Sequence, residues 1–515
     1  MSTTPLPAGS LRATSLNAAR RETELDAVAA ERLDLLVVGA GLTGTGAALD
    51  AASRGLRVAL VEAGDLAESD AGWPGPIGGG PRALEPAELV RARERAAERA
   101  VLLTRTAPHL VRTLPQLLPL REGTSRRTEA ARTAAAHAED ALRRAARTPT
   151  ALLPAPRRVP AVEAAALIPG LRTSGLRGGL LSYDARLVDD VRLVVALART
   201  AAGFGARVLT RVRAVGLDRD GADAVDERTG EALRLSARAV VNATGARAGE
   251  LAPEFRLRAV RESHLLVDAE AAGITGTALV PVDGGIALLP PGDEPHFPAT
   301  AHLGPRTAPE AATGQSDVDE LLAAVRTELG APLGPEQLLG SAAALRPALD
   351  EPGGKLPDLS RAHLVRASPD GVVTVVGGDR VGYRRRAAEA VDTAVRAAGL
   401  PAGPSRTAAV PLVGAADRAR LDQVEAPARL VARYGTEAAR VAALAELDAD
   451  LAEPVAEGTG LTAAEVLWAV RHEGALEPED VLARRGGLGA RRDLREAAAP
   501  AVTEIVDKAL RGLLD

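Results

Sequence analysis

Cysteine is absent from the 515 residues, which excludes disulfides, thiolate catalysis and cysteine-ligated metal. Histidine is sparse. Its seven copies stand at positions 109, 137, 264, 296, 302, 363 and 472, with no HxH or HxxxH spacing, so no metal centre is expected. Aromatic residues make up 2% of the chain, and Lys355 and Lys508 are the only lysines against abundant arginine and alanine. That skew reads as a coding bias and carries no function. No run approaches the ~20 apolar residues of a membrane span. The first 30 residues also lack the apolar centre of a secretory signal. A cytoplasmic protein is expected, soluble or peripheral on the inner face of the cell membrane. The net charge of −5 is small for this length and calls for no nucleic acid partner.

What is present begins with residues 33 to 62. Leu35 to Val38 form an apolar run suited to a strand buried on both faces of a parallel sheet. It runs directly into Gly39-Ala40-Gly41-Leu42-Thr43-Gly44. Gly39 permits a tight turn, Gly41 lets the backbone approach a pyrophosphate, and Gly44 lets the following helix lie close against the strand. That helix offers unpaired N–H groups and its dipole to an anion. It runs through Ala47, Ala48, Ala51 and Ala52, ends near Gly55, and leads to a second strand from Arg57 to Val61. Glu62 closes the unit. A carboxylate there accepts hydrogen bonds from ribose hydroxyls and repels a 2′-phosphate, which argues for FAD or NAD over NADP. The competing reading is a structural βαβ unit without a ligand, and the acidic residue in place between two strands weighs against it.

Two later segments separate FAD from NAD. One is the strand ending in Asn242-Ala243-Thr244-Gly245, and the other ends in Gly377-Gly378-Asp379 and feeds a helix to about residue 397. FAD is long enough to collect contacts from distant segments, whereas NAD domains finish closer to the first glycine turn. FAD is therefore favoured.

The expected fold is α/β: a doubly wound, Rossmann-like FAD-binding domain, an antiparallel-sheet substrate domain and an α-helical C-terminal domain. Residues 1–30 read as a disordered N-terminal segment. The FAD-binding domain occupies 31–255, with inserted helices over 86–170, and returns over 341–400. The substrate-binding domain spans 256–340. A proline-rich linker covers 401–416, and helices fill 417–515, with starts at Thr462 and near Pro500. Short strands from Arg207 onward, joined by turn signals at Asp218-Arg219-Asp220-Gly221 and Arg228-Thr229-Gly230, read as an antiparallel piece ending at Ala239 to Gly245.

These segments carry a resemblance. Asp34 to Glu62, Ala107-Pro108-His109-Leu110-Val111, Tyr183-Asp184-Ala185-Arg186 and Asp189-Asp190-Val191-Arg192-Leu193 follow one another in order. Asn242 to Gly245, Leu345-Arg346-Pro347, Ser360-Arg361 and Gly377-Gly378 with Tyr383-Arg384 come next. Tyr434-Gly435, Ala469 to Glu473 and Glu479 to Arg485 complete the series. Over most of its length the chain resembles the FAD-dependent, aerobic-type glycerol-3-phosphate dehydrogenases, as a divergent member. The resemblance implies hydride transfer from C2 of sn-glycerol 3-phosphate to flavin N5, giving dihydroxyacetone phosphate, with electrons passed to a quinone-type acceptor. It implies a phosphorylated polyol substrate and allows peripheral membrane contact and a homodimer. Gly39, Gly41, Gly44, Glu62, Thr244, Gly245, Gly377, Gly378 and Asp379 fall on its cofactor positions. Arg82, Arg346 and Arg361 match its substrate-binding arginines, since a planar guanidinium forks onto a phosphate. The other reading of each is a surface or ion-paired arginine. His264 matches a histidine near the substrate and is the candidate proton acceptor, because an imidazole titrates near neutrality. A histidine satisfied on a strand edge is the alternative.

The chain departs from that pattern at defined places. The family's hydroxyl-rich run, lysine and His-Gly-Gly become Ala67 to Gly80, and Ala83 replaces a tyrosine. Asp379 replaces a lysine, Val381-Gly382 a threonine pair, Ala301 to Gly304 a Gly-Thr-Thr-Asp stretch, and Arg247 a tryptophan. The departures lie on the flavin and substrate side and spare the adenosine side. Two functions stand on the sequence: the dehydrogenase with an altered flavin pocket, or a non-catalytic or altered-substrate paralogue that keeps the fold and the adenosine site.

Overall fold

The structure, a computed structural model, describes residues 10–68, 86–280, 286–289, 299–307, 315–330, 334–349, 363–489 and 491–514. Six strands form a sheet in the order His363–Ala367, Val373–Gly377, Val240–Asn242, Leu35–Val38, Val58–Val61, Arg207–Leu209. Every pairing is parallel except that of the His363–Ala367 edge. The continuous apolar run at 35–38 has a direct cause in this layering. Leu35 and Val37 enter one core together with Ala47, Ala51, Val194 and Ala387, whereas Leu36 and Val38 enter another with Val28, Val212 and Leu235. The first core lies under the helices Leu42–Ser53, Asp190–Gly203 and Tyr383–Ala398. The second lies under a four-stranded sheet ordered Arg32–Leu33, Ala232–Ala237, Gly221–Asp226, Val212–Asp218.

The strand Val240–Asn242 corrects one expectation. It does not close the antiparallel piece but inserts between Leu35–Val38 and Val373–Gly377, parallel to both. Its three residues are buried on both faces, as a central parallel strand requires. That insertion brings the turn after Asn242 beside the first glycine turn.

A second sheet has eight strands, in the order Leu338–Leu349, Leu257–Val267, Ala299–Thr307, Ile286–Leu289, Thr277–Val280, Val111–Arg121, Leu176–Leu187, Arg157–Pro160. The helix Gln315–Glu328 backs it, with Leu321, Leu322 and Val325 packed on Leu265 and Val267. The region 86–170, expected to hold inserted helices, thus also contributes two strands to this sheet. Long apolar alternation was masked there by prolines and arginines that sit in the strand, such as Pro115 and Pro119.

The N-terminal expectation is also corrected for residues 10–30. Ala18–Ala30 is a helix whose N-cap Asn17 accepts the Arg20 N–H. Arg21 is buried, donating to Asp226 at 2.6 Å and to the Thr210 carbonyl at 2.7 Å. Polar composition reads as disorder only when the polar groups have no partners. In the C-terminal region Thr462 caps the helix Ala463–His472 through a reciprocal capping box with Glu465. Pro500, expected near a helix start, lies inside Arg492–Leu510, at the loss of one ladder hydrogen bond. Among the described residues no helix is long and apolar enough to cross a membrane.

Candidate cofactor and substrate site

Three glycine-bearing turns, distant in sequence, meet at the carboxyl ends of the parallel strands, where ligands of open α/β sheets bind. They enclose a cavity of about 480 Å³ lined by Gly39, Gly41, Glu62, Thr244, Gly245, Gly377, Gly378 and Asp379 among others. Gly44 supports the cavity from behind. A Cβ there would lie 1.8 Å from the Gly39 carbonyl oxygen, so only glycine lets the helix seat this close to the turn. Gly39 itself has φ +102°, and a Cβ on it would meet the Ala243 carbonyl at 2.7 Å. The first and second turns therefore touch through bare backbone. Gly41 caps the helix Leu42–Ser53 without any side chain on the first-turn N–H groups, which leaves them to an anionic ligand.

Glu62 marks one end of the cavity. Its carboxylate accepts the Ala40 N–H at 2.6 Å and the Gly64 N–H at 3.1 Å. Burial raises its pKa, against those two bonds, and the nearby charge of Glu68 raises it further. Asn242 does not face a ligand. It is buried, donates to the Ala248 carbonyl at 3.1 Å, and accepts the Thr244 hydroxyl at 2.7 Å. Its role is to hold Thr244 and Gly245 on the cavity wall.

At the other end Gly377 and Gly378 take φ of +78° and +86° in succession, a path closed to most L side chains. Asp379 then accepts the Gly382 N–H at 2.9 Å and so ties the turn to the start of the helix Tyr383–Ala398. Arg380 pairs with buried Asp190 at 2.9 Å.

The candidate substrate residues are placed less completely. Arg82 and Arg361 lie outside the described residues, as does most of the altered loop at 67–81. His264 is buried on Leu257–Val267, opposite His302 on one neighbouring strand and Ala342 on the other. Arg261 and Ser263 donate to Asp317 of the backing helix, so the pleat turns His264 to the opposite face. Arg346 pairs in register with Val260 on the same two strands. Pro347, next to it, lines the cavity, whereas His264 is not among the described residues that do.

Sequence reasoning missed Arg213, Arg247, Glu250 and Arg386, all on the cavity wall. Arg247 and Glu250 pair at 3.0 Å in an exposed i, i+3 contact. The signal for Arg247 was present, since it stands where the resemblance has a tryptophan. Arg386 carried no local signal, because it is one of three consecutive arginines.

The geometry fits an FAD: a bare-backbone cradle, an uncapped helix N-terminus and the Glu62 carboxylate line one cavity. Comparison with known proteins agrees. The family described as FAD dependent oxidoreductase matches residues 34–384, and the C-terminal domain of alpha-glycerophosphate oxidase matches 405–511. Glycerol-3-phosphate dehydrogenase 1 of Mycobacterium tuberculosis is 43% identical over 491 residues, covering 92% of this chain and 95% of that one. Glycerol-3-phosphate dehydrogenase of Pseudomonas aeruginosa is 30% identical over 498 residues, covering 89% and 92%. The FAD-complexed glycerol-3-phosphate dehydrogenase from Bacillus halodurans has the same fold, with a TM-score of 0.72, 22% identity and coverage of 97% and 98%. With its cradle, its two matched domains and these relatives, the chain belongs to the FAD-dependent glycerol-3-phosphate dehydrogenase family of oxidoreductases, and FAD is its cofactor.

Proposed function

We propose that the protein oxidises sn-glycerol 3-phosphate to dihydroxyacetone phosphate. FAD held in this cavity would supply, at N5, the two-electron acceptor for a hydride from C2 of the substrate, and a quinone-type acceptor would take the electrons onward. The observation that carries this reading is the 43% identity to a glycerol-3-phosphate dehydrogenase over 92% of the chain, joined to a cavity that fits the cofactor of that chemistry.

The chain's own residues divide the remaining work. Gly39, Gly41 and Gly44 admit the pyrophosphate to the helix N-terminus, and Glu62 accepts from the ribose. Thr244, Gly245, Gly377, Gly378 and Asp379 hold the flavin half. Arg346, together with Arg82 and Arg361, binds the substrate phosphate, for which a guanidinium is the apt partner. His264 accepts the proton of the C2 hydroxyl. The strand pair carrying His264 also carries Arg346 and delivers Pro347 to the cavity wall, which is why these residues are assigned to one site. A membrane quinone as acceptor would place the protein peripherally on a membrane.

The test is an anaerobic titration of the FAD-loaded protein with glycerol 3-phosphate, followed by flavin absorbance. Bleaching is expected. Bound flavin that never bleaches would point instead to another substrate, and a protein that holds no added FAD would favour a non-catalytic paralogue.

A further inference from the structure

The C-terminal domain reaches the cofactor cavity by two routes. Neither Arg433, in the helix Ala428–Tyr434, nor Arg485, at the end of the turn Asp480–Arg485, is among the described residues that line the cavity. The two touch each other, since Arg433 donates through Nη2 to the Arg485 carbonyl. At the Glu62 end Arg485 forks onto Asp65, in the loop that follows Glu62. At the opposite end the route runs through two consecutive carboxylates. Asp189 lies 3.6 Å from Arg433 Nη2 and caps the helix Asp190–Gly203, accepting the Val191 N–H at 2.8 Å. Asp190 meets Arg380 Nε at 2.9 Å, and Arg380 lines the cavity beside Gly377, Gly378 and Asp379.

These contacts are stiff. The side chains of Asp65, Asp189, Asp190, Arg433 and Arg485 are each at most 2% exposed, and in such surroundings an ionic group parted from its partner is strongly disfavoured. The paired groups therefore move together. Because Asp189 and Asp190 begin the same helix, a shift of Arg433 is carried to Arg380. A dinucleotide that spans the cavity needs both of its ends at one separation, and holding that separation before the ligand arrives removes an ordering cost from binding. Arg199 and Glu437 form a buried pair between the same two domains, at 2.6 Å. Neither of them lines the cavity or, among the described contacts, touches a residue that does.

We propose that Arg433 and Arg485 are positioning residues of the FAD site. From the C-terminal domain they fix the two ends of the cavity at the separation the cofactor needs, Arg485 through Asp65 and Arg433 through Asp189, Asp190 and Arg380. The inference rests on the assignment of the cavity to FAD. The coupling is reciprocal: docking at these two residues tightens FAD, and FAD tightens that docking by the same factor.

The test measures the dissociation constant of FAD in the wild type, R433M, R485M, E437Q and the double variant D65N/R485M of the full chain. R433M and R485M are each expected to weaken FAD by about tenfold, within the usual range of a coupling between sites. E437Q breaks a docking pair that reaches no cavity residue and should stay within about twofold of the wild type. D65N/R485M should lose about tenfold and not the hundredfold of independent changes, because both remove the same contact. Wild-type affinity in folded R433M and R485M overturns the proposal, as does E437Q weakened as much as they are. If the arginine variants do not fold, amide hydrogen exchange of the wild type decides. FAD should slow exchange in Asp480–Arg485 by about tenfold more than in the helix Ala438–Leu447, whereas equal slowing in both, or none, overturns the proposal. A wild-type protein that binds no FAD would instead refute the underlying assignment of the cavity.

Discussion

Arg485 forks onto Asp65 through both of its terminal nitrogens, the longer bond measuring 2.8 Å, and both side chains are buried. Asp65 also accepts from Arg484 at 2.7 Å. It sits in the turn after Glu62, between Glu62 and Glu68 of the cavity wall. The C-terminal helices therefore grip the loop that follows Glu62, the residue proposed to meet the ribose. D65N should destabilise the protein by roughly 3–5 kcal/mol, as breaking one side of a buried pair does. It should also weaken FAD binding by about tenfold, or ~1.4 kcal/mol. Urea unfolding and flavin titration measure the two effects separately. Lower stability with unchanged FAD affinity would show that the clamp serves only domain docking.

Glu62 is the next test of the adenosine end. Its carboxylate spans the Ala40 and Gly64 N–H groups, so E62Q alters both the loop and the proposed bond to ribose. A hydrogen bond to a charged group is worth ~1.5–3 kcal/mol. E62Q should accordingly weaken FAD by roughly ten- to a hundredfold. An unchanged dissociation constant would remove Glu62 from the cofactor site.

Gly44 tests the cradle by sterics alone. The added methyl of G44A would lie 1.8 Å from the Gly39 carbonyl oxygen, and two backbones must part to admit it. Overpacking of this kind costs about 1–3 kcal/mol or more. G44A should therefore lower the thermal midpoint and abolish FAD binding together. A variant that keeps both would mean that the helix can slide without loss of the turn.

How far the sequence discloses the molecule follows from how local each constraint is. Gly39, Gly41, Gly44 and Glu62 were legible because a tight turn, a close strand–helix contact and an acidic stop are all met within one βαβ unit. The turns at Gly245 and Gly377-Gly378 were legible as strand ends. That the strand before Gly245 inserts into the parallel sheet was not, since three residues show no periodicity. Pairings across long separations were also hidden. Nothing in the polar N-terminus foretells that Arg21 is buried against Asp226. Among Arg384, Arg385 and Arg386, spacing does not say which one turns to the cavity while the others meet Glu98 and Glu94.

The pH dependence of stability follows from a buried cluster between the parallel-sheet domain and the C-terminal helices. Burial, helped by the charges of Arg192 and Arg112, pushes His109 down to about 3. Burial also lowers His472 to about 4. Glu473 behaves oppositely: burial would raise it, but Arg192, Arg199 and Arg485 overcome that and hold it at about 2. In all three the folded value lies below the ordinary one. As pH falls below ~6.5, unfolded histidines take up protons that the folded protein refuses, so stability drops by about 1.4 kcal/mol per pH unit for each such histidine. The loss from His109 continues to about pH 3. Glu473 adds to the loss only below its ordinary value of 4.5. Between pH 6 and 5 the histidines lower stability, while Asp189, raised to about 6 by burial, takes up a proton in the folded state and opposes part of that loss. H109Q, which cannot titrate there, should remove close to half of the slope contributed by His109 and His472. Urea unfolding at pH 7, 6 and 5 measures it. A slope identical to the wild type would mean that His109 is protonated equally in both states, and that the buried cluster opens to water before the protein unfolds.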